Sequence, residues 1–145
     1  METLSPQQVE ARVEARHKVF LILWFAILVS VMLLLVLVLV TGSNGVANPT
    51  LSYALLGVGA MTVAVSFLLK QQGVQKAINN NDIAALQSAQ IVSLALCESA
   101  ALMGVLDRFV TASSTGWLLF AIAAIGIFLH FPKKDHIRAV SYKQF

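Results

Sequence analysis

Charge is scarce in this chain. Asp, Glu, Lys and Arg make up only 12% of its 145 residues, against about 25% in a typical soluble domain, so an ordinary water-soluble globule is excluded. Cysteine is almost absent as well. Cys97 stands alone and cannot close an intrachain disulfide, and no Cys or His pair has the spacing of a zinc site. The chain also lacks a Gly-rich phosphate loop, a nucleophile triad and a haem-binding histidine pair. No catalytic residue, cofactor or metal site is therefore expected, and the chain does not read as an enzyme. The formal net charge of +3 comes from basic residues placed beside apolar segments, a pattern of membrane orientation rather than of nucleic-acid binding.

Apolar residues are abundant, at 58%. Residues 19–40 form a 22-residue apolar run broken only by Ser30, long enough to cross a ~30 Å hydrocarbon core at about 1.5 Å per residue. A cleaved signal peptide is the competing reading, but this run is too long for one and follows Glu2, Glu10 and Glu14. Ser5-Pro6-Gln7-Gln8 predicts a helix start near Pro6, and Glu14 with Lys18 supports continuous helix into the run. A second helix is predicted from Leu51, closed by Lys70 and a polar turn that ends in Asn81-Asp82. A third, long helix follows, and a fourth run begins at Trp117 and stops at Pro132. The expected fold is all-α: one integral membrane domain over residues 1–145, with helices over 6–41, 51–72, 82–112 and 116–131 and a cytoplasmic tail over 132–145.

Orientation follows from the basic residues. With both termini inside, Arg12, Arg16, Lys18, Lys70, Lys76, Lys133, Lys134, Arg138 and Lys143 lie on the inner side and only Arg108 on the outer. That asymmetry predicts a multi-pass protein of a membrane such as the bacterial inner membrane, with both termini cytoplasmic.

Glu98 is the one ionisable residue expected at membrane depth. Seven residues separate it from Ile91 and twelve from Val110, or about 10 and 18 Å along a helix. A carboxylate there costs at least ~2.5 to 3.5 kcal/mol, which favours burial against protein and marks it as a functional-site candidate. Around it Ala85, Ala89, Ser93, Cys97 and Ala101 recur every fourth residue, with Gly104 beyond them, matched on the second helix by Gly57, Gly59, Ala60 and Ala64. Small residues at this spacing let helix backbones approach closely. The second and third helices are thus expected to form a tight central hairpin, with the Leu/Val-rich first helix facing lipid. Thr62 and Ser66, at a depth similar to that of Glu98, are its expected hydroxyl partners. Asp107 and Arg108 read as a local pair or a snorkelling arginine, His130 as an interfacial histidine or a partner of the helix C-terminal dipole, and Cys97 as a packing residue.

Two small-residue helices joined by a polar loop, with Ala95-Leu96-Cys97-Glu98-Ser99-Ala100-Ala101-Leu102-Met103-Gly104 on the second, resemble the c-subunit proteolipid family of rotary ATP synthases over residues 51–112. The resemblance implies a ring of hairpins with an ion-carrying acid at Glu98, and in sodium-coupled members a ligand at Ser99. This chain has Lys70-Gln71-Gln72-Gly73 in place of the family's Arg-Gln-Pro turn, and the apolar part of its second helix carries no glutamine to complete a sodium site, so the ion expected is a proton. Two functions stay open: an oligomeric, proton-handling membrane protein that assembles through its second and third helices, or a structural or accessory subunit of a larger membrane complex in which Glu98 is interhelical glue. In both, the lipid bilayer and a homo-oligomer or membrane complex are the expected partners.

Overall fold

The computed structural model describes residues 6–42 and 45–142; the expected cap at Ser5 and the basic residue Lys143 lie outside them. Among the described residues there are five helices and no strand: α1 (Pro6–Thr41), α2 (Pro49–Asn80), α3 (Ile83–Thr111), α4 (Gly116–Leu129) and α5 (Lys134–Tyr142). Helices α1, α2 and α3 are each long and apolar enough to cross a membrane, and α4 with α5, bent by 44° at a short break, pass the same test as a pair.

Local chemistry explains the boundaries. Asn48 caps α2 by accepting a hydrogen bond from the Leu51 amide at 3.1 Å, with Pro49 in the first turn. The link from α2 to α3 takes two residues. Asn81 turns left-handed at φ 52°, and Asp82 then accepts from the amides of Ala84 at 2.8 Å and Ala85 at 3.2 Å. Ala112 ends α3 in the same left-handed conformation, which disfavours a side chain bearing Cβ.

Two expected boundaries change. Helix α2 does not stop near residue 72 but runs through the polar stretch to Asn80. Lys, Gln and Ala are good helix formers, Ala77 is fully buried, and Gly73 lies so close to Ala89 that a Cβ there would overlap it. The expected tail over 132–145 contains α5, which seats Ile137 and Val140 against Val13, Phe20, Ala77 and Leu86. An ion pair between Arg138 and Glu10 joins α5 to α1 at the surface, where such pairs contribute little.

Helix α3 is the hub, packing against all four others and most extensively against α2. The expected central pair is present, but its faces differ from expectation. Gly57, Ala60 and Ala64 are exposed, and α2 instead buries Ser52, Gly59, Val63, Ser66 and Ala77. The small face of α3 serves α4 as much as α2. A Cβ on Gly104 would come within 3.0 Å of the Gly116 carbonyl oxygen, and one on Gly126 within 2.9 Å of the Cys97 sulfur. Helix α1 is not left wholly to lipid either: Val31 and Val38 are buried with Leu94, Cys97 and Ala123, and Leu35 packs against the same cluster.

Candidate functional site

Three polar clusters lie among the helices, each joining elements far apart in sequence. At mid-height the Ser30 hydroxyl of α1 donates to the Glu98 carboxylate of α3. This corrects the expected partners: Thr62 donates to the Gly59 carbonyl at 2.8 Å and Ser66 to the Val63 carbonyl at 2.6 Å, both within α2. Depth matched, but direction did not. Glu98 lies about 100° around the helix from Cys97, and Cys97 is fully buried beside Ser66 and Gly126, so the carboxylate is turned toward α1. Ser99 donates to Leu96 O of its own helix at 2.7 Å. Of the four ion-binding candidates, Glu98 and Ser66 therefore reach other helices, toward different neighbours.

The second cluster surrounds the end of α4. A helix leaves its last carbonyls without intrahelical partners, and here other helices supply donors. Trp24 Nε1–H of α1 donates to Ile127 O and the Gln90 side-chain amide of α3 to His130 O, both at 2.7 Å. His130, the C-cap of α4, is fully buried. Its Nδ1 lies 2.6 Å from Gly126 O; that oxygen can only accept, so Nδ1 carries the proton, and Nε2 lies 3.4 Å from the Ser66 hydroxyl oxygen. The Phe67 ring packs against the imidazole at a centroid separation of 4.4 Å.

The third cluster, at the opposite end of the bundle, holds the most enclosed acid. Asp107 has no exposed surface, and hydroxyls hold it rather than the neighbouring Arg108. Thr111 donates to Oδ1 at 2.8 Å and Thr115 to Oδ2 at 3.0 Å, while Ser52 of α2 and Ser113 each contact the Thr115 hydroxyl. Thr115, the N-cap of α4, is itself helical at φ −71° and ψ −19° and makes no side-chain capping bond; its hydroxyl donates to Asp107 instead. Arg108 reaches the Ser113 carbonyl at 3.4 Å, and its Nε is buried with no partner among the described residues. The expected local pair thus becomes a carboxylate held by α2, α3 and the turn before α4. Its sequence signal was the Asp107/Thr111 spacing of four followed by a hydroxyl-rich turn.

No family model matches the chain, and no similar curated protein or solved structure is found. Among the described residues no three His, Cys, Asp or Glu side chains come together as a metal site would require. Chemically, the three clusters can join helices in a medium that offers no competing hydrogen bonds, and a carboxyl among them can take up or release a proton.

Proposed function

We propose that this chain is a four-span integral membrane protein with both termini cytoplasmic, acting as a structural or accessory subunit within a membrane assembly. The membrane reading draws support from the large apolar side chains left exposed along every long helix, among them Ile22, Phe25 and Leu33 of α1, Tyr53 and Met61 of α2, Leu102 of α3 and Ile125 of α4. Lipid is the solvent suited to such a surface. In this reading α4 is a short fourth span of 14 residues, about 21 Å long, and α5 lies along the inner surface. Such a shortfall is met by local thinning or by interfacial anchors such as Trp117 and Lys133.

The observation that carries the structural reading is that polar groups are engaged by other elements of the bundle: Glu98 of α3 by Ser30 of α1, Asp107 of α3 by Thr115 before α4, and the last carbonyls of α4 by Trp24 of α1 and Gln90 of α3. Interhelical hydrogen bonds of this kind hold membrane bundles together. A second reading, proton handling at Glu98 in a c-subunit-like manner, is favoured by the incomplete burial of Glu98 beside the sealed Asp107.

Proteoliposomes separate the two. The structural reading expects no proton flux from wild type or from Glu98→Gln, normal assembly of Glu98→Gln, whose amide oxygen still accepts from Ser30, and weakened assembly of Glu98→Ala and Ser30→Ala. Flux in wild type that vanishes in Glu98→Gln establishes the proton-handling reading instead.

A further inference from the structure

A cleft of about 350 Å³ opens where α2, the end of α4 and α5 meet. Lys70, Lys133 and His136 line it, with Gln71 beside them and Phe67 and Leu129 as an apolar flank. None of the side chains lining it is acidic. In sequence these basic residues look like unrelated positions, Lys70 as the end of a span and Lys133 and His136 as parts of a tail. Folding α5 back against α1 and α2 brings them to one mouth.

We propose that this cleft binds the phosphate headgroup of an anionic phospholipid from the inner leaflet, with an acyl chain lying along Phe67 and Leu129. The assignment rests on the membrane reading above. Two lysines supply point charges suited to phosphate, and Gln71 adds an amide donor. The ammonium groups are close enough to matter to one another. The His136 pKa is lowered first by burial and next by Lys70 and Lys133, with Asp135 acting in the opposite direction. An anion in the mouth relieves that repulsion. A lipid fits better than a free phosphate because the basic mouth continues into exposed apolar surface, where Leu129 is 64% and Phe67 37% exposed.

The test follows the thermal stability of the detergent-solubilised full chain during titration with phosphatidylglycerol. A saturable rise in Tm is expected with phosphatidylglycerol and not with phosphatidylcholine. Each lysine near an anionic surface contributes roughly fivefold, so Lys70→Gln/Lys133→Gln should need at least tenfold more lipid, whereas Lys134→Gln, exposed and outside the cleft, should behave as wild type. An equal response to phosphatidylcholine, or an unchanged double variant, overturns the site. The same saturable response to inorganic phosphate overturns the lipid assignment in favour of a free phosphate. If the double variant fails to fold, Lys133→Glu alone, at an exposed position, must weaken the response at least fivefold, and an unchanged response overturns the site. Alkaline carbonate extraction checks the membrane reading separately: release of the wild-type chain into the supernatant sinks that reading whatever the headgroup result.

Discussion

Asp107 shows how much one side chain can tie together in this bundle. Replacing it with Ala removes the buried acceptor that Thr115 uses and one of the two open to Thr111, whose hydroxyl also lies 2.7 Å from Asp107 O, and a buried hydroxyl left without its acceptor costs about 1 to 3 kcal/mol. Asp107→Ala should therefore lower the Tm in detergent by several degrees more than Asp135→Ala, which removes an exposed carboxylate; equal effects would contradict the burial of Asp107. Ala112 offers the opposite case. It sits at φ 50°, where an L side chain is disfavoured and glycine is not, so Ala112→Gly should stabilise the protein by about 1 kcal/mol, read as a higher Tm. Glu98 belongs between these two. Its contact with Ser30 depends on the direction in which the residue points, which sequence spacing defines only after one neighbour's environment is known.

At the scale of elements, close approach decides which substitutions hurt. Gly104→Leu drives a side chain into Gly116 O, Phe120 and Leu119, and overfilling of this kind costs about 1 to 3 kcal/mol or more. Ala60→Leu adds a side chain to an exposed face of α2 and should change the monomer's Tm little. If Ala60→Leu leaves the monomer's Tm unchanged but shifts its elution toward smaller species, the exposed face of α2 is the surface used in assembly. Helix α5 responds to pH. His136 binds its proton less readily in the folded chain than in the unfolded one, because of burial and the nearby Lys70 and Lys133. Its contribution is present above the unfolded pKa of about 6.5 and is lost as pH falls through the lower folded value, since the unfolded chain then binds the extra proton. Tm should accordingly fall between pH 7.5 and 5, with a smaller fall in His136→Gln; an identical fall in that variant would assign the effect to other groups.

For the whole molecule the issue is which ends face which side. The asymmetry of basic residues predicts that the loop before α2 lies outside and the α2–α3 turn inside. With Cys97 replaced by Ala, cysteines at the exposed positions Val46 and Asn80 should react with a membrane-impermeant thiol reagent from opposite sides, Val46 from outside. Reaction of both from the same side would show that an odd number of spans does not separate them. The loop between α1 and α2 is also tied to the bundle: a Cβ on Gly45 would lie 2.6 Å from Val110 O, so Gly45→Val should disturb the C-terminal end of α3 and its Asp107 cluster together.

The long helices were legible in the sequence because they depend on local quantities. Runs of apolar residues define α1, α2 and α3, Asp82 marks the start of α3, and the small residues of α3 announce a helix that others can approach closely. Direction around each helix was not legible. Glycine and alanine look equally suitable at Gly57, Gly59, Ala60 and Ala64, yet only Gly59 of these is buried, because burial depends on where Leu119 of α4 comes to rest. Ser30 lies 68 positions from Glu98, Ser52 lies 63 from the Thr115 hydroxyl beside Asp107, and the basic cleft joins Lys70 to Lys133 and His136; no local pattern relates such positions. Along apolar runs such as residues 19–40 nearly every side chain is apolar, so polarity cannot distinguish the inner from the outer face as it does in water. Only the packing of α1, α4 and α5 around α3 decides it.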